Sequence, residues 1–198
     1  EISRESVEAI RSVVLSAFQS GGHPYEQART IKQHIGLTQR QSLAVQNYRR
    51  MLEGAGRMTD ALRRNLRDHR FDASVLRAIQ TRQPLSKEQI NRMVQRYADR
   101  MLKFRAEMIA RTETIRASME GQAQTWQQAV DQGFLDPAKT RRVWIVTPDD
   151  RLCPRCRAVP RLNPFGVTLN VPFQTEQGLH MRPPLHPDCR CALGLKFS

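Results

Sequence analysis

The chain has 198 residues, 39% of them hydrophobic, which is enough for one good core or two small ones. No run of 18 or more residues is apolar, and the first residues mix acidic and basic side chains, so a membrane-spanning helix and a secretory signal are excluded. Basic residues outnumber acidic ones by 32 to 19, and 27 of them are arginine. Because arginine offers a planar fork to phosphate or carboxylate, the net charge of +13 predicts an anionic partner. Since the chain begins with Glu1 and not Met, we expect a fragment or a processed product of a longer protein.

Amphipathic helices are predicted throughout the first part of the chain. Apolar residues recur at helical spacing over residues 3–19, and a second helix is expected from Pro24 to Gly36. Thr38 and Gln41 have the spacing of a capping box, in which each side chain satisfies a backbone amide at the start of a helix. A third helix is therefore predicted to begin at this point.

The third helix is expected to end near Gly54 to Gly56, and the pattern then becomes less regular. Over residues 57–84 the sequence predicts only short helices, around Asp60–Leu66 and Ala73–Gln80.

Most of the positive charge lies between Arg40 and Arg105, where 16 residues are basic and 6 are acidic. No aromatic residues alternate with the basic ones, and no base-reading motif is present, so contact with single-stranded bases is not indicated. The segment instead predicts contact with the backbone of double-stranded DNA, which depends steeply on salt. A solvated helix surface is the alternative. The candidate residues for contact with DNA or another anion are Arg49, Arg50, Arg63, Arg64 and Arg67.

A second capping-box pattern, at Ser86 and Gln89, begins the longest periodic run of the sequence. Apolar residues continue at helical spacing to Val130, and no proline interrupts residues 85–136. A helix of about 45 residues spans about 65 Å, which exceeds the size of a compact domain. We therefore expect either a break, with Gly121 the weakest position, or a spine within a larger assembly.

Beyond this run, β-branched and aromatic residues predict short strands. They are expected at Arg142–Thr147, at Val167–Leu169, at Val171–Phe173 and over Leu193–Phe197. This part is too small to bury enough apolar area for its own stability, so a bound metal is expected to hold it together.

The predicted fold is therefore mainly α, with a long central helix and a small C-terminal α+β or β module of the zinc-binding type. Its parts are an N-terminal helical region (1–85), the long central helix (86–136) and the small β module with the cysteine and histidine cluster (137–198).

All four cysteines of the chain lie in the C-terminal module. Cys153 and Cys156 form one C-x-x-C pair, Cys189 and Cys191 form a second pair, and His186 precedes Cys189 by three residues. Zinc prefers four tetrahedral thiolate or imidazole ligands, drawn from close pairs separated by a loop. The preferred ligands are the four cysteines, with His186 as a substitute for either of the last two. Four protein ligands leave no open position for water, so the zinc is predicted to be structural.

Other chemistries of these cysteines stay open. Cys153 and Cys156 can form a redox pair, although no strand-then-helix context of the thioredoxin type surrounds them. The four cysteines can also pair as two disulfides or stay as free buried thiols. A disulfide scaffold is disfavoured because the remaining residues of the chain contain no cysteine.

Several features together resemble one protein family. They are Ala-Arg-Thr-Glu-Thr at residues 110–114, Trp126, Trp144, residues 149–156, Phe173 and Pro-Pro-Leu-His-Pro-Asp-Cys-Arg-Cys at residues 183–191. The combination, from about Tyr97 to Leu193, resembles the phage head morphogenesis, or Mu F-like, minor head protein family. The final His-Pro-Asp-Cys-Arg-Cys is its most specific part. Many members carry a histidine-bearing segment in place of the first cysteine pair, so the metal prediction rests on this chain's own cysteines.

The resemblance implies a structural virion protein and not an enzyme. It is expected inside the head near the portal vertex, and in the host cytoplasm during assembly. The implied partners are the portal protein or the major capsid protein, with a role in assembly or in the start of DNA delivery. Neither a membrane nor a small-molecule substrate is implied.

The box formed by Arg111, Thr112 and Glu113 has a structural and a catalytic interpretation. In the structural one, Arg111 and Glu113 hydrogen-bond loops of the β module onto the helix. A catalytic role requires a nucleophile or a phosphate cradle, and the sequence shows neither, so the structural role is favoured.

Two other functions are consistent with the residues. A zinc-dependent nuclease is one alternative, because His186 lies near His180 and Asp188 on a basic protein, and Asn163 and Asn170 are available as further ligands. The second alternative is a sequence-neutral DNA-binding module unrelated to phage particles.

Overall fold

The computed structural model describes residues 4–54 and 57–197. Ser3, with which the first predicted helix begins, and Ala55 and Gly56, at the predicted end of the third helix, lie outside the described residues. Within the described ranges the chain is mostly helical, with a long central helix and small C-terminal sheets, so the predicted fold class is confirmed.

The helices that precede the first strand follow one another with short connections. They are α1 (Arg4–Ser20), α2 (Pro24–His34), α3 (Gln39–Leu52), α4 (Met58–Ala61), a 3-10 helix (His69–Phe71), α5 (Asp72–Thr81) and α6 (Lys87–Asp131). Both predicted capping boxes are present. The Thr38 hydroxyl accepts the Gln41 amide at 3.2 Å, and the Ser86 hydroxyl accepts the Gln89 amide at 3.2 Å.

The chain divides into two compact units. The first comprises residues 1–10 and 28–107, and the second comprises residues 11–27 and 108–198. The division into residues 1–85, 86–136 and 137–198 stays a prediction.

Aromatic and aliphatic side chains from α3, α5 and α6 form the core of the first unit. Tyr48 and Tyr97 stack with their ring centroids 4.4 Å apart, and Leu52, Val75 and Met93 are buried around them. Burial of apolar area of this kind is the main favourable term in the stability of the unit.

The long helix α6 has 45 residues and does not break at Gly121. The expected break is therefore absent. One glycine in a helix interior destabilises the helix by about 1 kcal/mol relative to alanine. Met93 and Tyr97 in one half of α6 and Met119 in the other half are buried in hydrophobic cores, and their burial offsets that cost.

The strands of the second unit form two small antiparallel sheets. They are β1 (Thr140–Ile145), β2 (Val167–Thr168), β3 (Phe173–Thr175), β4 (Gly178–His180) and β5 (Ala192–Phe197). The three-stranded sheet has the order β2-β1-β5, and Trp144 of β1 lies opposite Leu193 of β5. Strands β3 and β4 form a hairpin.

The sequence analysis missed two elements of this unit, the helix α7 (Pro154–Leu162) and strand β4. Helix α7 begins at the first cysteine pair, with Cys153 as its N-cap and Pro154 at its first position. Proline at that position favours the start of a helix, because its missing N–H has no partner in a helix in any case.

The core of the second unit lies between α6, α7 and the sheets. Trp144 and Phe173 pack edge to face with centroids 5.3 Å apart, and Met119, Val159 and Leu193 are buried beside them. Three of the four cysteines belong to the same buried cluster. Among the helices in the described ranges, none combines the length and apolarity needed to cross a bilayer.

Candidate metal centre

Two short backbone turns present the cysteines of the candidate site. The Cys153 sulfur caps α7 and accepts the Cys156 amide at 3.4 Å, which places both sulfurs on one side of the turn. The second turn precedes β5, and in it the Cys189 amide donates to the His186 carbonyl at 3.2 Å. All four cysteines are free, so the disulfide alternative finds no support in this geometry.

The five candidate ligands converge although about 30 residues separate the two turns. His186 Nε2 lies 3.1 Å from the sulfurs of both Cys153 and Cys156, and the Cys156 sulfur lies 3.8 Å from that of Cys189. The ligand atoms form two groups of three, and within each group all three atoms lie within 4.8 Å of one another. Cys156 belongs to both groups. One group includes Cys153 and His186, and the other includes Cys189 and Cys191.

The imidazole of His186 is oriented by the backbone carbonyl of the next residue. Its Nδ1 donates to the Pro187 carbonyl at 2.7 Å, which leaves the Nε2 lone pair directed at the two sulfurs. A backbone carbonyl that fixes the tautomer of a histidine in this way is the usual partner of a metal ligand. Burial lowers the pKa of His186, but the Pro187 carbonyl and the Cys153 sulfur raise it, and the net direction is upward.

The four thiols occupy different electrostatic environments. Hydrogen bonding, chiefly from the Cys191 thiol, lowers the pKa of Cys189, and the same contact raises the pKa of Cys191. Burial raises the pKa of Cys156. Burial also acts upward on Cys153, but the amide and thiol of Cys156 outweigh it and lower its pKa.

The donor set fits zinc. A tetrahedral zinc with bonds of about 2.3 Å to sulfur separates two sulfurs by about 3.8 Å, which is the observed distance between Cys156 and Cys189. Sulfur and imidazole donors together favour zinc over magnesium or calcium, which prefer oxygen. The five residues are among those that line a cavity of about 30 Å³. This cluster can therefore hold a metal ion.

An ion pair that the sequence analysis did not identify joins the two turns. The Arg190 guanidinium donates to both carboxylate oxygens of Asp149, at 2.5 and 2.6 Å. Hydrogen bonding from Arg190 is the main cause of a lowered Asp149 pKa, which is about 2. Such a bidentate pair fixes geometry as well as charge. Both residues stood inside the quoted motifs, but no local spacing indicates that they meet.

Two members of the predicted structural box contact the second turn. Arg111 of α6 pairs with the Asp188 carboxylate at 2.7 Å, and the Thr112 hydroxyl accepts the Asp188 amide at 3.0 Å. Asp188 adopts a left-handed conformation with φ of 60°, which aspartate tolerates better than most residues. Glu113 differs from the expectation, because its carboxylate pairs with Arg116 one helical turn away and not with a loop.

The five arginines predicted to contact an anion differ in their exposure to solvent and in their contacts within the protein. Arg50 is exposed, and the side chain of Arg63 is 83% exposed with only a distant contact to Asp60. Arg49 bonds Asn91 at 2.9 Å, and Arg64 lies against the Met51 sulfur.

Arg67 is the least available of the five. Its side chain is only 18% exposed and makes a bidentate pair with Asp72 at 2.9 and 3.0 Å. Its charge is therefore neutralised within the first unit. This local pairing was not visible in the sequence.

One of the two asparagines named as possible nuclease ligands, Asn163, makes structural contacts. The Asn163 amide donates to the Val159 and Gln174 carbonyls and accepts the Gln174 amide, so it joins α7 to β3. His180 contacts Thr175 within the β3–β4 hairpin. Asn163 and His180 therefore have structural contacts within the second unit.

Comparison with known protein families identifies the family of this chain. A family model described as "Phage Mu protein F like protein" matches residues 8–194, from α1 to β5. No curated protein and no solved structure matches the chain. The resemblance drawn from Tyr97 to Leu193 is therefore confirmed, and the family match also includes most of the N-terminal helices.

Proposed function

Because the chain belongs to the phage Mu protein F like family, we propose that it is a minor head protein that docks to the portal or the inner capsid and contacts packaged DNA. Membership of this family indicates a phage head morphogenesis protein located in the virion. The match over residues 8–194 is the observation that carries the proposal. A role in assembly or in the start of DNA delivery follows from a position beside the portal.

The distribution of charge supports the contact with DNA. The chain has a net charge of +13, and in the first unit Arg50 is exposed and the Arg63 side chain is 83% exposed, with only a 3.7 Å contact to Asp60. Packaged DNA offers a dense array of phosphates, and arginines of this kind bind it without regard to sequence. Arg67 is omitted from the proposed surface because Asp72 neutralises it.

A structural zinc ion would hold the second unit in its docking conformation. We propose Cys153, Cys156, His186 and Cys189 as the ligands, with Cys191 beside them. His186 is favoured over Cys191 because its Nε2 is equidistant from two of the other ligands and its tautomer is fixed. When bound, the ion supplies a crosslink between the two turns, and four protein ligands leave no position for a catalytic water.

Association with particles tests the proposed function. Heads purified before and after DNA packaging are separated on a gradient and probed for this chain. We expect it in both fractions, at few copies per particle. Its absence from purified virions would exclude a head protein, whereas its loss from empty heads alone would show that it enters with DNA and is not an assembly component.

A further inference from the structure

One buried cation in the second unit lacks a counter-charge. Arg142 of β1 is 2% exposed, and its guanidinium donates to the Met181 carbonyl at 2.8 Å and to the Val171 carbonyl at 2.7 Å. The Phe173 ring lies 5.3 Å from its central carbon and offers a weak cation–π contact. Within residues 4–54 and 57–197, no carboxylate forms an ion pair with Arg142, and its Nε–H has no partner.

The electrostatic environment increases this imbalance. Burial, and then the positive charge of Arg182, lower the pKa of Arg142. Buried charges in proteins are generally paired, because an unpaired charge removed from water costs several kcal/mol. Backbone carbonyls and an aromatic ring compensate only part of that cost. The position therefore resembles one half of an ion pair.

A cavity adjoins the guanidinium. It has a volume of about 200 Å³ and is lined by Arg142 and Arg182, by three amide side chains that include those of Gln127 and Asn170, and by the apolar rings and chains of Trp126 and Met181. Arg182 also pairs with Glu120, which stands at the same cavity. One buried arginine without a counter-charge, a second arginine paired with Glu120, three amide side chains and an apolar wall are a suitable lining for an anionic group attached to a carbon chain.

We propose that this cavity binds a carboxylate, presented by an acidic side chain of a partner protein. The Arg182 guanidinium would donate to it, the buried charge of Arg142 would attract it from the cavity wall, and the apolar wall would contact the methylene groups of the side chain. A monoanion is favoured over a phosphate dianion because the Glu120 carboxylate stands beside the site. The inference concerns a surface separate from the metal centre and does not depend on the identity of the phage partner.

Thermal unfolding of the full chain in matched salts tests the proposal. Sodium acetate, sodium phosphate and sodium chloride are compared at equal ionic strength, with the unmutated protein, Arg182→Gln and the control Arg161→Gln. Arg161 is exposed on α7, is not among the residues that line the cavity, and its substitution changes the net charge equally. We expect acetate to raise the unfolding midpoint in a saturable manner for the unmutated protein and the control. In Arg182→Gln that rise should be lost.

A second measurement follows the arginine itself. In a ¹⁵N-labelled protein, the Nε–H resonance of Arg142 should shift as acetate is added, and chloride should leave it unchanged. Equal midpoints in acetate and chloride, or an equal acetate effect in Arg182→Gln, would overturn the proposal. A larger effect of phosphate than of acetate would also overturn it, since it would assign the cavity to a phosphate group.

Discussion

At the scale of single residues, the metal centre depends on the direction of one imidazole. His186 has one nitrogen bound to a backbone carbonyl and the other directed at two sulfurs. Cys191 joins the cluster only through Cys156 and Cys189. Cys156 is therefore proposed as a ligand of the ion, and Cys191 as a neighbour that does not bind it. Serine substitutions at these two positions distinguish the two roles.

We expect Cys156→Ser to release zinc and to lower the unfolding midpoint sharply, because the ion crosslinks a unit with a small core. In Cys191→Ser, the matched substitution, zinc should remain near one ion per chain. Elemental analysis of protein purified under reducing conditions measures both. Less than about half a zinc per chain in the unmutated protein would contradict the zinc prediction, and loss of zinc in Cys191→Ser would place that sulfur among the ligands.

A second residue-scale prediction concerns the buried carboxylate Asp68, which is 3% exposed and pairs with Arg70 at 2.6 Å and with Arg100 at 3.3 Å. Hydrogen bonding from Arg70 lowers its pKa against the opposing effect of burial. We expect Asp68→Asn to lower the free energy of unfolding at pH 7 by about 2 kcal/mol, as for removal of one partner of a buried charged pair.

The pH dependence follows from the sign of this shift. A carboxyl group with a lowered pKa contributes stability that is fully present above its unfolded pKa of about 3.9 and is lost as the pH falls through the folded value. Urea unfolding should therefore show that the free energies of unfolding of Asp68→Asn and of the unmutated protein become more similar below about pH 4. Asp60→Asn is the control, because its partner Arg63 is 83% exposed and the pair is worth little. A difference that widens in acid would contradict the assignment.

At the scale of elements, a close approach between β1 and the turn before β2 fixes the position of Gly166. This glycine has φ of +72°, and a Cβ on it would overlap the Arg142 carbonyl. The three-stranded sheet therefore needs a residue without a side chain here, for steric and conformational reasons together.

Gly166→Ala should destabilise the protein by about 2 kcal/mol or more, since it combines a left-handed conformation with a backbone clash. Gly121→Ala makes the same change in the interior of α6, where a Cβ meets open space, and should stabilise by about 0.5–1 kcal/mol. Urea unfolding measures the free energy of unfolding of both variants, which should fall for Gly166→Ala and rise for Gly121→Ala. A neutral Gly166→Ala would show that the turn relaxes away from β1.

At the scale of the whole molecule, net charge dominates the interaction with DNA. The excess of basic residues acts on any polyanion, and its strength depends on counterion release from the phosphates. The particular arginines that contribute most are those that are exposed and not held in a close bidentate pair with a carboxylate, which the sequence does not reveal. Arg50 and Arg63 meet this condition better than Arg67.

We expect the full chain to bind double-stranded DNA without sequence preference, with an affinity that falls steeply as salt rises. The double variant Arg50→Gln and Arg63→Gln should weaken binding and lower the slope of log affinity against log salt by up to about 2, or about 1 for each lost phosphate contact. The control carries Arg155→Gln and Arg161→Gln on α7, which are also exposed. Equal slopes in the two double variants would show that the contact lies elsewhere on the protein.

The sequence by itself determined the family, the helical body, the capping boxes at Thr38 and Ser86, and the clustering of cysteines. These features depend on spacing along the chain or on local hydrogen bonds, which a linear pattern records directly.

Only the tertiary structure decided which side chains meet across long separations. The pairing of Arg190 with Asp149, the contact of Arg111 with Asp188, and the burial of Arg142 without a carboxylate all depend on how turns and strands pack. A charged residue has the same letter in the sequence whether it is solvated, neutralised or left without a counter-charge. Its partner is fixed only when the surrounding backbone is folded, because desolvation and distance together set the energy of each charge.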